Sequence, residues 1–374
     1  MKKLNYGRQY IDEADIEAVV RVLRSDFLTS GPEIEVLEEA LCKLTSAKYC
    51  VAVSNGTAAL HLACLALGIE KGDEVITSPM TFAASANCVL YCGGMPVFAD
   101  INPDTWNISP ESIKQKITEK TKAIIAVDFT GQTAELDEIR QICVENEIIL
   151  IEDAAHAIGS TYKGKMVGSI ADMTTFSFHP VKTITGGEGG AVMTNNESLY
   201  QKLRLLRTHG ITREIDSKEP WYYEQVELGY NYRITDIQAA LIRSQLNKLD
   251  RFAKRRKQIV DMYDEAFKNI PQLILQKEIQ ESEPLKHIYV LRFDLKKIQK
   301  TRLQIYHELL EKGIQCNVHY IPVYYHPYYQ KLGYQKGICP NAEALYEEIL
   351  TLPLYYSLTD EDVNQVIQSV KEVI

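Results

Sequence analysis

"CVAVSNGTAALHLACLAL", residues 50–67, holds a short apolar strand, a polar turn and an alanine-rich helix in one run. CVAV is brief, apolar and partly β-branched, as strands buried in a sheet are. Ser54-Asn55-Gly56-Thr57 interrupts it before the helix begins. The same alternation runs outward from this unit. EVIT (74–77), FAASANCVLYC (82–92), PVFAD (96–100), KAIIAV (122–127), ELDEIRQICVEN (135–146) and IILIE (148–152) follow in turn. Strands alternating with helices predict βαβ units, hence an α/β fold with a mostly parallel sheet. Such sheets hold ligands at the carboxyl ends of their strands.

Upstream, IDEADIEAVVRVLRS carries Ile16, Val19, Val20 and Leu23 at helical spacing. PEIEVLEEALCKL repeats the pattern, with Pro32 where a helix can start. The alternation fades near residue 245. DRFAKRRKQIVDMYDEAF reads as an amphipathic bridging helix. HIYVLRFD (287–294), the helix TRLQIYHELLEKG, a short strand near NVHYIP and the terminal helix DEDVNQVIQSVKEVI follow it. Two domains are expected: a large one over 1–250 and a smaller α+β one over 251–374.

The 374 residues are 45% hydrophobic and 24% charged, as in an ordinary globular protein. A net charge of −9 argues against general nucleic-acid binding. No apolar run reaches about 18 residues, and the amino end turns polar early, so a cytoplasmic location is expected. The eight cysteines are dispersed. Cys88 and Cys92 fit the turns of one apolar helix better than a zinc half-site, and no metal is expected.

Six stretches carry candidate chemistry. In FSFHPVKTITGGEGGAV (176–192), Lys182 lies between an apolar strand and a glycine turn. A surface turn would explain it. A lysine in a partly dry cleft, though, loses pKa and forms Schiff bases with carbonyl compounds such as pyridoxal phosphate. Asp153 ends the strand IILIE, either as a cap or as the carboxylate that keeps a pyridinium nitrogen protonated. SNGT, ahead of a helix, can form an anion site from free N–H groups. Phe82 is a core residue or a stacking partner for a flat ring. Asn231 and Arg233 precede an amphipathic helix, and NVHYIPVYYHPYY (317–329) is rich in His and Tyr.

Taken together, SNGTAAL, the TF of PMTFAASAN, FADINPDTWNISPESI, IEDAAHAIG, FSFHPVK, GGEGGAV, LGYNYRITDIQAA and VHYIP resemble the DegT family of nucleotide-sugar aminotransferases. That resemblance spans nearly the whole chain. It implies the type I (aspartate aminotransferase) fold and the cofactor pyridoxal 5'-phosphate. It implies Lys182 as the Schiff-base lysine, Asp153 at the pyridinium and His156 near the ring hydroxyl. Gly56, Thr57 and Ser177 would hold the phosphate, and Phe82 would stack on the ring. Asn231 would reach the phosphate of a neighbouring subunit, which implies a homodimer with shared sites.

LNYGRQYIDEADIEAVV, SDFLTSG and GIQCNVHYIPVYYHPYYQKLGY resemble the family's 4-aminotransferases of pseudaminic acid biosynthesis. These pass an amino group from L-glutamate to a UDP-linked 4-keto-6-deoxy sugar. The resemblance implies sugar-nucleotide contacts at Tyr6, Asp26, Phe27, Leu28, Thr29, His319 and Tyr320. Branches acting on other 3-keto or 4-keto sugars, of bacillosamine or legionaminic type, share many of these features. Dehydratase relatives carry His in place of the lysine, and Lys182 argues against that activity.

Overall fold

The computed structural model describes residues 2–213 and 219–374. The strand and helix of residues 50–67 form as β2 (Tyr49–Val53) and α3 (Gly56–Ala66). Before it come β1 (Leu4–Asn5), α1 (Glu13–Leu23) and α2 (Pro32–Thr45). After it run β3 (Glu74–Thr77), α4 (Ala84–Tyr91), β4 (Met95–Phe98), α5 (Pro110–Lys116), β5 (Thr121–Val127), α6 (Leu136–Glu145) and β6 (Ile149–Asp153). β7 (Met173–Ser177), β8 (Gly190–Thr194), α7 (Glu197–Arg207), α8 (Asp236–Leu246) and α9 (Leu249–Phe267) complete the large layer.

The seven strands lie in the order β2-β8-β7-β6-β5-β3-β4. Only β8 runs against its neighbours, so the expected mostly parallel sheet is present. Helices cover the sheet because its central strands are apolar on both faces. Leu37, Leu41, Phe176 and Ile242 pack in one cluster, and Val53, Leu60, Val75 and Val192 in another.

A second, three-stranded sheet is formed by β9 (Leu273–Ile274), β10 (Tyr289–Phe293) and β12 (Ile349–Leu352), with β10 central. It packs with α9, α10 (Arg302–Glu311) and the terminal α11 (Asp360–Val373) around Tyr263, Leu291, Ile305 and Val366. The strand expected near NVHYIP lies just before it, as β11 (Ile314–Gln315). β11 pairs in parallel with β1, so the chain's first strand joins the last third of the sequence. Leu4 is wholly buried in that smaller core.

α1 departs from its apolar pattern. It packs on α8 through Ala18 and Val22, leaving Ile16 47% and Leu23 55% exposed. The cause is a buried carboxylate. Asp15 accepts from Ser244 Oγ (2.7 Å) and Gln245 Nε2 (2.7 Å) and pairs with Lys248 (2.8 Å). A paired, fully hydrogen-bonded charge can be buried, and here it sets which face turns inward. No helix among the described residues is long and apolar enough to cross a membrane.

Candidate active site

The carboxyl ends of β2, β6 and β7 open onto one cleft of about 940 Å³. Parallel pairing puts Asp153, the last residue of β6, beside Thr175 of β7 and Val127 of β5. Tyr6 and the Asn317–Tyr320 segment close the cleft from the smaller unit. Gly56, Thr57, Phe82, Asp153, His156, Ser177, Lys182, Tyr6, His319 and Tyr320 all line this cleft. Residues read from stretches far apart in sequence therefore meet in one place.

Asp153 does not cap a helix, since a turn follows β6. It is 5% exposed. Ser85 Oγ donates to its Oδ2 at 2.6 Å, and the Ala155 N–H to its Oδ1 at 3.2 Å. Burial raises the Asp153 pKa, while these two donors and the Lys182 charge oppose that rise. Ser85 was missed in the sequence. It lies in the first turn of α4, and its spacing of three from Phe82 is the one signal that could have found it.

Lys182 sits on the loop joining β7 to β8. The Phe178 N–H donates to Gly189 O and the Gly186 N–H to Phe178 O, both at 2.9 Å, so the loop closes on itself. The Lys182 N–H bonds His179 O at 2.9 Å inside that loop. Burial lowers the amine to about 8, with the Asp153 charge pulling the other way. A neutral amine is then available close to neutral pH.

The start of α3 faces the same space. Asn55 caps it, its Oδ1 accepting from the Ala58 N–H at 2.8 Å. A Cβ on Gly56 would lie 2.8 Å from Ser177 Cβ, so only glycine lets the helix start approach Ser177. Helix N–H groups and a hydroxyl at that approach suit a phosphate. Phe82 does not open a helix. It lies on the turn before α4, 65% exposed, with its ring on the cleft wall. Met80 fills the core instead.

The far wall is aromatic. His156 Nε2 and Tyr320 Oη lie 2.9 Å apart, and their rings are nearly parallel at 5.9 Å. Tyr6 packs on His319 at 5.1 Å. His287 also lines the cleft, 4.7 Å from the His156 ring. No sequence signal marked it, because it enters from the smaller unit. Burial, followed by the Lys182 charge, lowers His156 and His287 well below the usual histidine value and His319 to about 4. All three stay neutral at neutral pH. The tyrosine-rich segment divides. Tyr320 faces the cleft, while Tyr324 and Tyr329 are core residues packed on Phe98.

Asp26, Phe27, Leu28, Thr29 and Asn231 are not brought into this cleft; all five are exposed. Thr29 bridges Thr235, the Asp236 N–H donates to Leu28 O at 3.0 Å, and Asn231 bridges Thr208.

A lysine with a lowered pKa, a carboxylate at a strand end, a phosphate cradle and an exposed ring fit pyridoxal 5'-phosphate on an α/β sheet, the arrangement of a PLP-dependent aminotransferase of type I fold. The sequence model of the DegT/DnrJ/EryC1/StrS aminotransferase family matches residues 9–371, and the chain belongs to that family. The spore coat polysaccharide biosynthesis protein SpsC of Bacillus subtilis is 41% identical over 99% of this chain and 97% of its own. The UDP-4-amino-4,6-dideoxy-N-acetyl-beta-L-altrosamine transaminase of Campylobacter jejuni is 40% identical over 96% of this chain and 94% of its own. Streptococcus pneumoniae Spr1654, solved in its PLP form, superposes with a TM-score of 0.92 at 35% identity, covering 99% of this chain and 98% of its own. The chain is an aminotransferase of nucleotide sugars that works with pyridoxal 5'-phosphate.

Proposed function

We propose that this chain passes the amino group of L-glutamate to carbon 4 of UDP-2-acetamido-2,6-dideoxy-β-L-arabino-hex-4-ulose, toward pseudaminic acid, as a cytoplasmic homodimer. The observation that carries the aminotransfer is Lys182 and Asp153 on the wall of one cleft, with the amine lowered to about 8. The similarity to the Campylobacter transaminase supports the choice of sugar.

When bound, the cofactor supplies a carbonyl for the amine and an electron sink for the carbon that loses it. Asp153 would keep the ring nitrogen protonated. Gly56, Thr57 and Ser177 would hold the phosphate, Phe82 would cover a ring face and His156 would serve the ring hydroxyl. Lys182 Nζ takes the proton from the α-carbon of glutamate and later returns one to carbon 4 of the sugar. Delivery from one side sets the configuration there. Such acid–base work contributes about 100- to 10,000-fold. Tyr6, His319 and Tyr320 orient the sugar nucleotide. Because the two substrates use the site by turns, the kinetics are ping-pong.

Asn231 and Asp26–Thr29 act on the second copy's site. The exposure of Phe27 (53%), Leu28 (48%) and Leu228 (76%) supports this dimer. A second reading has a specific support: SpsC is as similar as the Campylobacter enzyme. It is amination of another 3-keto or 4-keto nucleotide sugar, of bacillosamine or legionaminic type.

The test is a half-reaction. Glutamate bleaches the absorbance of the Lys182-bound cofactor, excess donor is removed, and each 4-keto epimer is added alone. Return of absorbance with the L-arabino sugar only is expected. Return with the D-xylo sugar only selects the second reading.

A further inference from the structure

On the sheet face turned away from the cleft, two carboxyl groups meet. Strand alternation turns Glu152 opposite to Asp153. Asp128 follows the last residue of β5, and its N–H donates to Asp153 O at 3.1 Å. Both carboxyls have zero exposure. Thr174 Oγ1 donates to Glu152 Oε2 at 2.7 Å, and the Ala134 N–H to Asp128 Oδ1 at 3.0 Å. The other two oxygens, Glu152 Oε1 and Asp128 Oδ2, are buried without a donor. The two side chains are within hydrogen-bonding reach of each other.

Two ionised carboxyls in contact would repel and leave both of these oxygens unsatisfied. One proton between them satisfies both. The groups that bear most on the pair are the Asp153 carboxylate, the Thr174 hydroxyl and the N–H groups of Ala134 and Gly168. Burial and mutual repulsion push Asp128 well up, and burial pushes Glu152 to about 7, so the pair keeps a proton that two exposed carboxyls would release.

We propose that Asp128 and Glu152 share one proton and act as a positioning pair, carrying a single negative charge beside Asp153. The pair ties the end of β5 to β6. The turn that Asp128 begins holds the cleft wall: Thr130 O accepts from the His287 N–H at 2.8 Å, and Phe129 packs 6.3 Å from Tyr320. Gly131, at φ 105°, has room for no Cβ there, which would lie 2.4 Å from Leu285 O. The negative charge also favours a proton on the cofactor nitrogen at Asp153. That consequence rests on the proposed function; the shared proton does not.

The test uses the full chain without ligand. Infrared spectra of the wild type are expected to contain the carbonyl stretch of a buried protonated carboxyl, absent from Asp128→Asn and from Glu152→Gln. In each variant an amide N–H replaces the shared proton and one charge remains. Between the ordinary glutamate value of 4.5 and about 7, the folded wild type keeps a proton that the unfolded chain releases. Its folding constant therefore falls about tenfold per pH unit relative to either variant. In the cofactor-loaded protein, the double variant Asp128→Asn/Glu152→Gln loses the charge. Its pH-dependent absorbance transition moves to lower pH than in either single variant. A wild type with no difference band and the same pH slope as both variants overturns the shared proton. A double variant that titrates with the singles overturns the electrostatic role. A wrong sugar assignment would change none of these readings.

Discussion

Ser85→Ala removes a support of the cofactor site that no substrate is expected to touch. Ser85 Oγ lies 2.6 Å from Asp153 Oδ2 and 2.7 Å from Thr81 Oγ1, and the residue is 1% exposed. Apart from it, Asp153 accepts only the longer bond from the Ala155 N–H, among the bonds to its side chain in the described residues. A hydrogen bond to a charged group contributes about 1.5–3 kcal/mol. At about 1.4 kcal/mol per tenfold, that is about 10- to 150-fold in the proton affinity of Asp153. The sign follows from the donor. Ser85 favours the carboxylate against burial, so its loss raises Asp153 further. A protonated Asp153 cannot keep the ring nitrogen charged. Below the raised Asp153 pKa, the rate at which glutamate bleaches the bound cofactor is expected to fall, by up to about 10- to 150-fold. It should recover partly as rising pH restores the carboxylate. Stopped-flow absorbance over a pH series measures both effects. A variant within twofold of wild type at every pH, with unchanged thermal stability, would refute the reasoning.

Lys182→Ala should lose about 100- to 10,000-fold or more in the glutamate half-reaction while still binding cofactor, measured by single-turnover absorbance. Capture of pyridoxal phosphate by the ligand-free chain needs the neutral amine, so its rate should rise with pH to about 8 and then level off. A rate still climbing toward 10.5, the ordinary lysine value, would mean an unburied amine. Gly56→Ala forces a Cβ to 2.8 Å from Ser177 Cβ. Overpacking of that kind costs about 1–3 kcal/mol, and titration should show cofactor affinity weakened by about 5- to 150-fold. Mixing unfolded Lys182→Ala and Asn231→Ala chains and refolding them should yield about a quarter of wild-type activity, because half the dimers then hold one intact shared site. Mixtures no more active than the separate variants would argue against a shared site.

What the sequence determined by itself is local. The strand runs, the turn at SNGT and the lysine between a strand end and a glycine turn all depend on near neighbours and on spacing, which one stretch displays. The parallel sheet followed from the alternation, and Asp153 and Lys182 could be placed at its carboxyl edge because strand ends are visible in sequence. Tertiary structure decided what depends on distant partners. Apolar spacing marked Ile16 and Leu23, yet the Asp15–Lys248 pair from across the fold turned the other face of α1 inward. Tyr320 and Tyr324 look alike in the chain, and only packing sends one to the cleft and the other to the core. Ser85, His287 and the Asp128–Glu152 pair gain their roles from atoms supplied by separate segments. Burial, hydrogen-bond completion and charge depend on three-dimensional surroundings, and no local pattern of residue types encodes these.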